Sequence, residues 1–120
     1  MGDLTENFSK AEMSCKCGCG FDIPDTSFIN RLQTARSISG VPYKITSGCR
    51  CNYHNKAEGG TDDSDHITGE GVDIETASSH IRFRVLSGLI KAGFERIGIG
   101  STFIHAGSAI RNPAGVTWLY

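Results

Sequence analysis

The ten residues Ser64-Asp65-His66-Ile67-Thr68-Gly69-Glu70-Gly71-Val72-Asp73 constrain this chain more than any other stretch. Val72 and Ile74 alternate with Asp73 and Glu75, so Gly71–Glu75 reads as a short strand with one apolar and one polar face. The spacing from His66 to Asp73 is odd, which on a continuous strand puts the two on opposite faces. They converge only if the chain bends between them, and Gly69 and Gly71 permit that bend. His66 then arrives from a loop and Asp73 from the strand after it. A third group, His105 in Phe103-Ile104-His105, would come from a hairpin farther along. Two imidazoles and one carboxylate suit a catalytic zinc ion whose fourth position stays open to water, which points to a hydrolase. The plainer alternative is a hydrogen-bonded structural histidine and an Asp73 that faces solvent.

The rest of the chain supplies a frame for such a site. At 120 residues it fits one domain. Residues 1–24 read as irregular and cysteine-rich, apart from a capping-box turn at Ser9-Lys10-Ala11-Glu12. Asp25 caps a helix over 25–39, with Phe28, Ile29, Leu32, Ala35 and Ile38 on one face and Gly40 as the stop. Tyr43–Ser47 reads as a strand, followed by a Gly- and Asn-rich loop from Gly48 to about Asp65. Ser78 or Ser79 opens a second helix reaching about Ala92, with Ile81, Val85, Leu86, Leu89 and Ile90 as its buried stripe. Glu95–Ile99, a turn at Gly100-Ser101 and Phe103–Ala106 form a hairpin, and Val116–Tyr120 is a last strand. This order predicts an α+β fold: a small, mostly antiparallel sheet with helices packed on one face.

Charge narrows the partners. The net charge is -1 with no basic block, which argues against nucleic acid. No apolar run approaches bilayer length, so no membrane insertion is expected. The opening Met1-Gly2-Asp3-Leu4-Thr5-Glu6 is too acidic for a secretory leader, so a cytoplasmic location as synthesised is expected, as is a monomer. The five cysteines, Cys15, Cys17, Cys19, Cys49 and Cys51, admit three readings: packed thiols, one or two disulfides between the two loops, or a structural zinc site. Alternating Cys-x-Cys is not the usual Cys-x2-Cys knuckle, which favours packing or a cross-link over the metal.

Several motifs in order carry a resemblance. Asn7-Phe8-Ser9-Lys10-Ala11-Glu12, Cys15-Lys16-Cys17-Gly18-Cys19-Gly20, Ser47-Gly48-Cys49-Arg50, Asn55 with Gly59-Gly60, Ser64-x-His66-x2-Gly69-x-Gly71-x-Asp73, Phe103-Ile104-His105 and Trp118-Leu119-Tyr120 span nearly the whole chain. Together they resemble the D-Ala-D-Ala carboxypeptidase family of zinc peptidases, which shares its fold with the Hedgehog signalling domain. The nearest likeness is to short phage-type members that cut peptidoglycan stem peptides. The resemblance implies that His66, Asp73 and His105 bind one Zn2+, that Arg50 holds the substrate carbonyl or oxyanion, and that Ser64 lines the cleft and binds substrate. It implies a D,D-carboxypeptidase or an L-Ala–D-Glu-type endopeptidase, released from a host cytoplasm to the cell wall.

The chain also departs from that pattern. Cys49 stands where relatives often carry Tyr, and Gly71 where Ala is usual. Relatives place an acid close to the last zinc histidine, often two residues after it; Gly107 stands there, and no Asp or Glu follows Arg96. The general base is therefore open. Glu75 shares a strand face with Asp73 and is the candidate; Glu70, Asp65 and His54 are others. A domain that keeps zinc but has lost catalysis, and a metal-free structural domain, are the competing readings.

Overall fold

Phe28, Ile29, Leu32 and Ala35 recur at helical spacing behind Asp25, and the computed structural model, which describes residues 2–120, folds them into a helix. A short helix α1 (Lys10–Met13) comes first and α2 (Thr26–Ser39) follows, capped by the Asp25 carboxylate on Phe28 N at 3.0 Å. Gly40, at φ 70°, ends α2 in the left-handed conformation. Next come β1 (Ile45–Ser47), α3 (Asn52–Ala57), a 3-10 turn (Asp65–Thr68), β2 (Gly71–Glu75) and α4 (Ser79–Lys91). Three strands close the chain: β3 (Arg96–Ile99), β4 (Phe103–Gly107) and β5 (Val116–Leu119).

The sheet order is β1-β2-β4-β3-β5. The first three pairings are antiparallel and only the edge pair β3–β5 is parallel, so the α+β, mostly antiparallel expectation holds. Val72, Ile74, Ile104 and Ala106 fill one sheet face and pack with Phe28, Leu32, Val85 and Leu89 of α2 and α4. The residues before α2 belong to the same core: Phe8 and Met13 are fully buried. Thr5 Oγ1 and Asn7 N both donate to Gln33 Oε1, which ties this segment to α2.

Three local expectations need correction. The loop read between Gly48 and Asp65 contains α3, whose first turn the Cys51 sulfur caps, and the 3-10 turn begins at its far end. Residues this short, and this rich in Asn and Gly, carry too little periodicity to announce a helix. Ile38 and Ile90, both placed on buried stripes, are exposed, because each lies at the margin of its helix's apolar face.

Helices α2 and α4 meet with almost no gap at Gly88. A Cβ there would lie 1.9 Å from Ser39 Oγ and 2.5 Å from the Ala35 carbonyl oxygen. Gly88→Ala is therefore expected to destabilise the fold by about 1–3 kcal/mol, despite the better helix propensity of alanine. Urea unfolding followed by circular dichroism reads the difference.

Candidate functional site

Strand pairing sets five positions in one row. Ser47 lies opposite Asp73, Asp73 opposite His105, His105 opposite Gly98, and Gly98 beside Trp118. Paired positions share a sheet face. The intervening residues face the helices, so this row looks out on the other side. His66 joins it from the 3-10 turn, which Ser64 opens by accepting from His66 N. Gly69, at φ 72°, reverses the chain directly after the turn, and its N–H donates to the His66 carbonyl. This is the bend that the odd spacing requires. Gly71 plays a different part from the one expected, because it sits in regular strand.

His66, Asp73 and His105 each offer a ligand atom, and these atoms all lie within 4.8 Å of one another. Asp73 Oδ1 is 3.0 Å from His105 Nδ1 and 3.4 Å from His66 Nε2. A tetrahedral ion with bonds of roughly 2.0–2.1 Å needs ligand separations of about 3.4 Å, so the set fits zinc. The outer nitrogens are held from behind. His66 Nδ1 lies 2.6 Å from the Gly48 carbonyl, which only accepts, so Nδ1 carries the proton and Nε2 presents its lone pair. His105 Nε2 lies 3.0 Å from Asp65 Oδ2, which frees Nδ1 in the same way.

Asp65 is the residue that spacing alone undervalues. Besides His105, its carboxylate accepts from Arg96, from Asn112 Nδ2 at 3.1 Å and from Ala109 N at 3.2 Å. Burial pushes its pKa up, but the hydrogen bonds from His105, Asn112 and Arg96 outweigh burial and bring it to about 2. Burial likewise pushes His105 down, and its bonds to Asp65 and Asp73 raise it above the usual histidine value. For Asp73, burial is outweighed by the two neighbouring imidazoles, His105 before His66, which hold the carboxyl well below the ordinary range.

Two glycines make room for Asp65. A Cβ on Gly107 would lie 2.2 Å from Asp65 Oδ2, and one on Gly71 would lie 2.6 Å from Asp65 Cβ. The bare positions at 71 and 107 thus have one cause. The Asp65 side chain fills the volume that an alanine at 71 and an acid at 107 would enter.

The remaining sequence candidates divide. Arg50 reaches the site: Nη2 donates to Asp73 Oδ2 at 3.2 Å, Nε to Ser47 Oγ at 2.9 Å and Nη1 to Asn55 Oδ1 at 3.4 Å. Arg50 and Ser64 both line an open cleft of about 600 Å³ that contains the three candidate ligands. Glu75 is not brought there. It shares the face of Asp73, but its carboxylate pairs with Lys44 Nζ at 3.7 Å at the far end of β2. Glu70 accepts from Thr68 Oγ1, and His54 pairs with Glu58 Oε1 at 3.3 Å; neither borders the cleft.

Sequence reasoning assigned no role to Arg96, Asn112, Trp118 or Tyr120, which also line the cleft. The Arg96 guanidinium carbon sits 5.1 Å from the centre of the Trp118 ring, and that ring is 5.7 Å from His105. Strand alternation would have flagged Arg96, which pairs with Gly107 on the face of Gly98.

The sequence model of the Peptidase M15 family matches residues 6–107, and the chain belongs to that family of zinc-dependent metallopeptidases. No curated protein matches the chain.

Gly107→Ala is expected to push the Asp65 carboxylate off His105 Nε2. The loss of a buried charged hydrogen bond corresponds to about 1–3 kcal/mol. Nitrogen chemical shifts of the His105 ring, measured before and after substitution, report the broken contact directly.

Proposed function

We propose that this Peptidase M15 member hydrolyses peptidoglycan stem peptides, as a D,D-carboxypeptidase or an L-Ala–D-Glu-type endopeptidase. One observation carries the reading: two imidazoles and a carboxylate converge at zinc-ligand separations inside an open cleft. The motif resemblance, which runs from the N-terminal segment to Trp118-Leu119-Tyr120, supports the choice of wall peptides.

His66 Nε2, Asp73 Oδ1 and His105 Nδ1 would hold the ion. Bound zinc supplies a water acidified to near neutrality and a Lewis acid for the scissile carbonyl. The chain's own groups do the rest. Gly48 and Asp65 fix the two imidazoles in ring orientation and tautomer. Arg50, braced by Ser47, Asn55 and Asp73, presents a preorganised positive charge to the carbonyl oxygen as it becomes an oxyanion. Phe103, Trp118 and Tyr120 wall the cleft on the side of the sheet, and Ser64 with Gly59 and Gly60 borders the other.

Asp65 is committed to His105, Arg96, Asn112 and Ala109, and so it positions rather than transfers protons. Proton transfer falls to the cleft-lining acids outside that network, Glu58 and Asp63, both on the loop after α3. Glu58→Gln or Asp63→Asn, whichever is the acceptor, is expected to keep zinc and lose roughly 10²–10⁴-fold in kcat. Zinc stoichiometry and turnover of a synthetic stem peptide, measured together, separate the two.

His66→Ala is expected to abolish both zinc retention at the cleft and release of fragments from purified cell walls. Arg50→Ala is expected to retain the ion and lower kcat roughly 10²–10³-fold, the scale of a lost oxyanion donor. Mass spectrometry of digested peptidoglycan names the bond that is cut. Full wall cleavage by His66→Ala would refute the assignment.

A further inference from the structure

Away from the cleft, the N-terminal segment and the entrance to α3 bring four thiols together. The sulfurs of Cys15, Cys17, Cys19 and Cys51 all lie within 4.8 Å of one another. Cys15 and Cys17 are 3.4 Å apart, Cys17 and Cys51 3.6 Å, and Cys15 and Cys51 3.9 Å. All five cysteines of the chain are free, and Cys49 stays outside the group, buried in the core.

These distances belong to a coordination sphere. A tetrahedron with zinc–sulfur bonds of about 2.3 Å has edges of about 3.8 Å. A bonded pair would sit at about 2.0 Å, which none of the three measured separations approaches. The backbone is shaped for the purpose. Gly18 and Gly20 adopt φ 83° and 92°, left-handed conformations that let the segment curl with the sulfurs of Cys15, Cys17 and Cys19 close together. Gly18 N bonds to the Cys15 carbonyl and Cys15 N to the Phe21 carbonyl, closing the turn. Two amides also point at sulfur: Cys51 N at Cys15 Sγ and His54 N at Cys51 Sγ, each at 3.4 Å. Such N–H groups stabilise thiolates, the form that binds metal.

We propose that Cys15, Cys17, Cys19 and Cys51 form a closed, four-thiolate site for a single zinc ion. Four thiolates complete the tetrahedron, so the ion has no position for water and its role is structural. A soft all-sulfur set selects zinc over harder divalent cations. The ion fastens the N-terminal segment to the loop that carries Arg50. Arg50 stands next to Cys51, its N–H bonds to the His66 carbonyl, and Cys49 N bonds to the Met13 carbonyl. The thiolate site thereby sets where the guanidinium sits over Asp73, and it does so independently of what the cleft does.

Native mass spectrometry of protein purified reduced and without chelator counts the ions. Two zinc ions per chain are expected in the unaltered protein. One is expected in His66→Ala, and one in a Cys17→Ser, Cys19→Ser double variant, whose exposed positions leave the core intact. Should that variant fail to fold, iodoacetamide on the unaltered protein decides: Cys17 and Cys19 are expected to resist modification until zinc is chelated. Cobalt-loaded His66→Ala should show thiolate-to-metal charge-transfer absorption. One zinc ion in the unaltered chain that the double variant retains would overturn the proposal, as would a disulfide among the four or thiols that react freely beside bound zinc. Failure of the cleft assignment reads differently, as an ion count that His66→Ala does not change.

Discussion

The register of β2 against β4 is the constraint on which the site depends. It sets Val72 against Ala106, Asp73 against His105 and Ile74 against Ile104. A slip of one residue would turn every side chain of a strand to the opposite face. A slip of β2 would carry Asp73 into the apolar layer beneath α2 and α4 and turn Val72 to the cleft, and a slip of β4 would do the same with His105 and Ile104. The hydrophobic side of the sheet therefore aims the two candidate ligands from the opposite face. Gly98 extends the row, since a Cβ there would lie 2.5 Å from the Trp118 indole nitrogen. The aromatic wall of the cleft can approach only because that position is bare.

Buried charge has to be matched, and the matching explains the rest of the cleft floor. Asp65 and Asp73 flank His105 on its two nitrogens. Arg96 answers Asp65, and Arg50 answers the outer oxygen of Asp73. Asp73 Oδ1, His66 Nε2 and His105 Nδ1 are left facing one another, within 4.8 Å, as the atoms that can converge on one ion. An arrangement with every other partner fixed is stiff, and stiffness is what a metal centre needs to hold a preferred geometry.

Much of this was legible beforehand, for reasons that differ by element. The helices Thr26–Ser39 and Ser79–Lys91 announce themselves by apolar spacing and by Asp25 and Ser78 at their starts. The β3–β4 hairpin follows from alternation around Gly100-Ser101. The parallel pairing of β5 on β3 was not legible, because nothing in Val116–Leu119 states which edge it joins. The convergence of His66 with Asp73 was foreseen as a need for a bend, and Gly69 supplies it. The part Asp65 plays is not legible from spacing, because only the 3-10 turn and the facing strand place its carboxylate behind His105. The thiol cluster was discounted for its spacing, yet its fourth member comes from 36 residues away, where no local pattern reaches.

Gly107 has a consequence for how proteins of this kind are compared. Read column by column, a glycine where an acid is customary marks a dead enzyme. In three dimensions the space beside both Gly71 and Gly107 is taken by a carboxylate from the facing turn, Asp65, which binds His105 Nε2. A bare position in a sequence can thus record the side chain that fills its space from another element, and Asp65 fills it here.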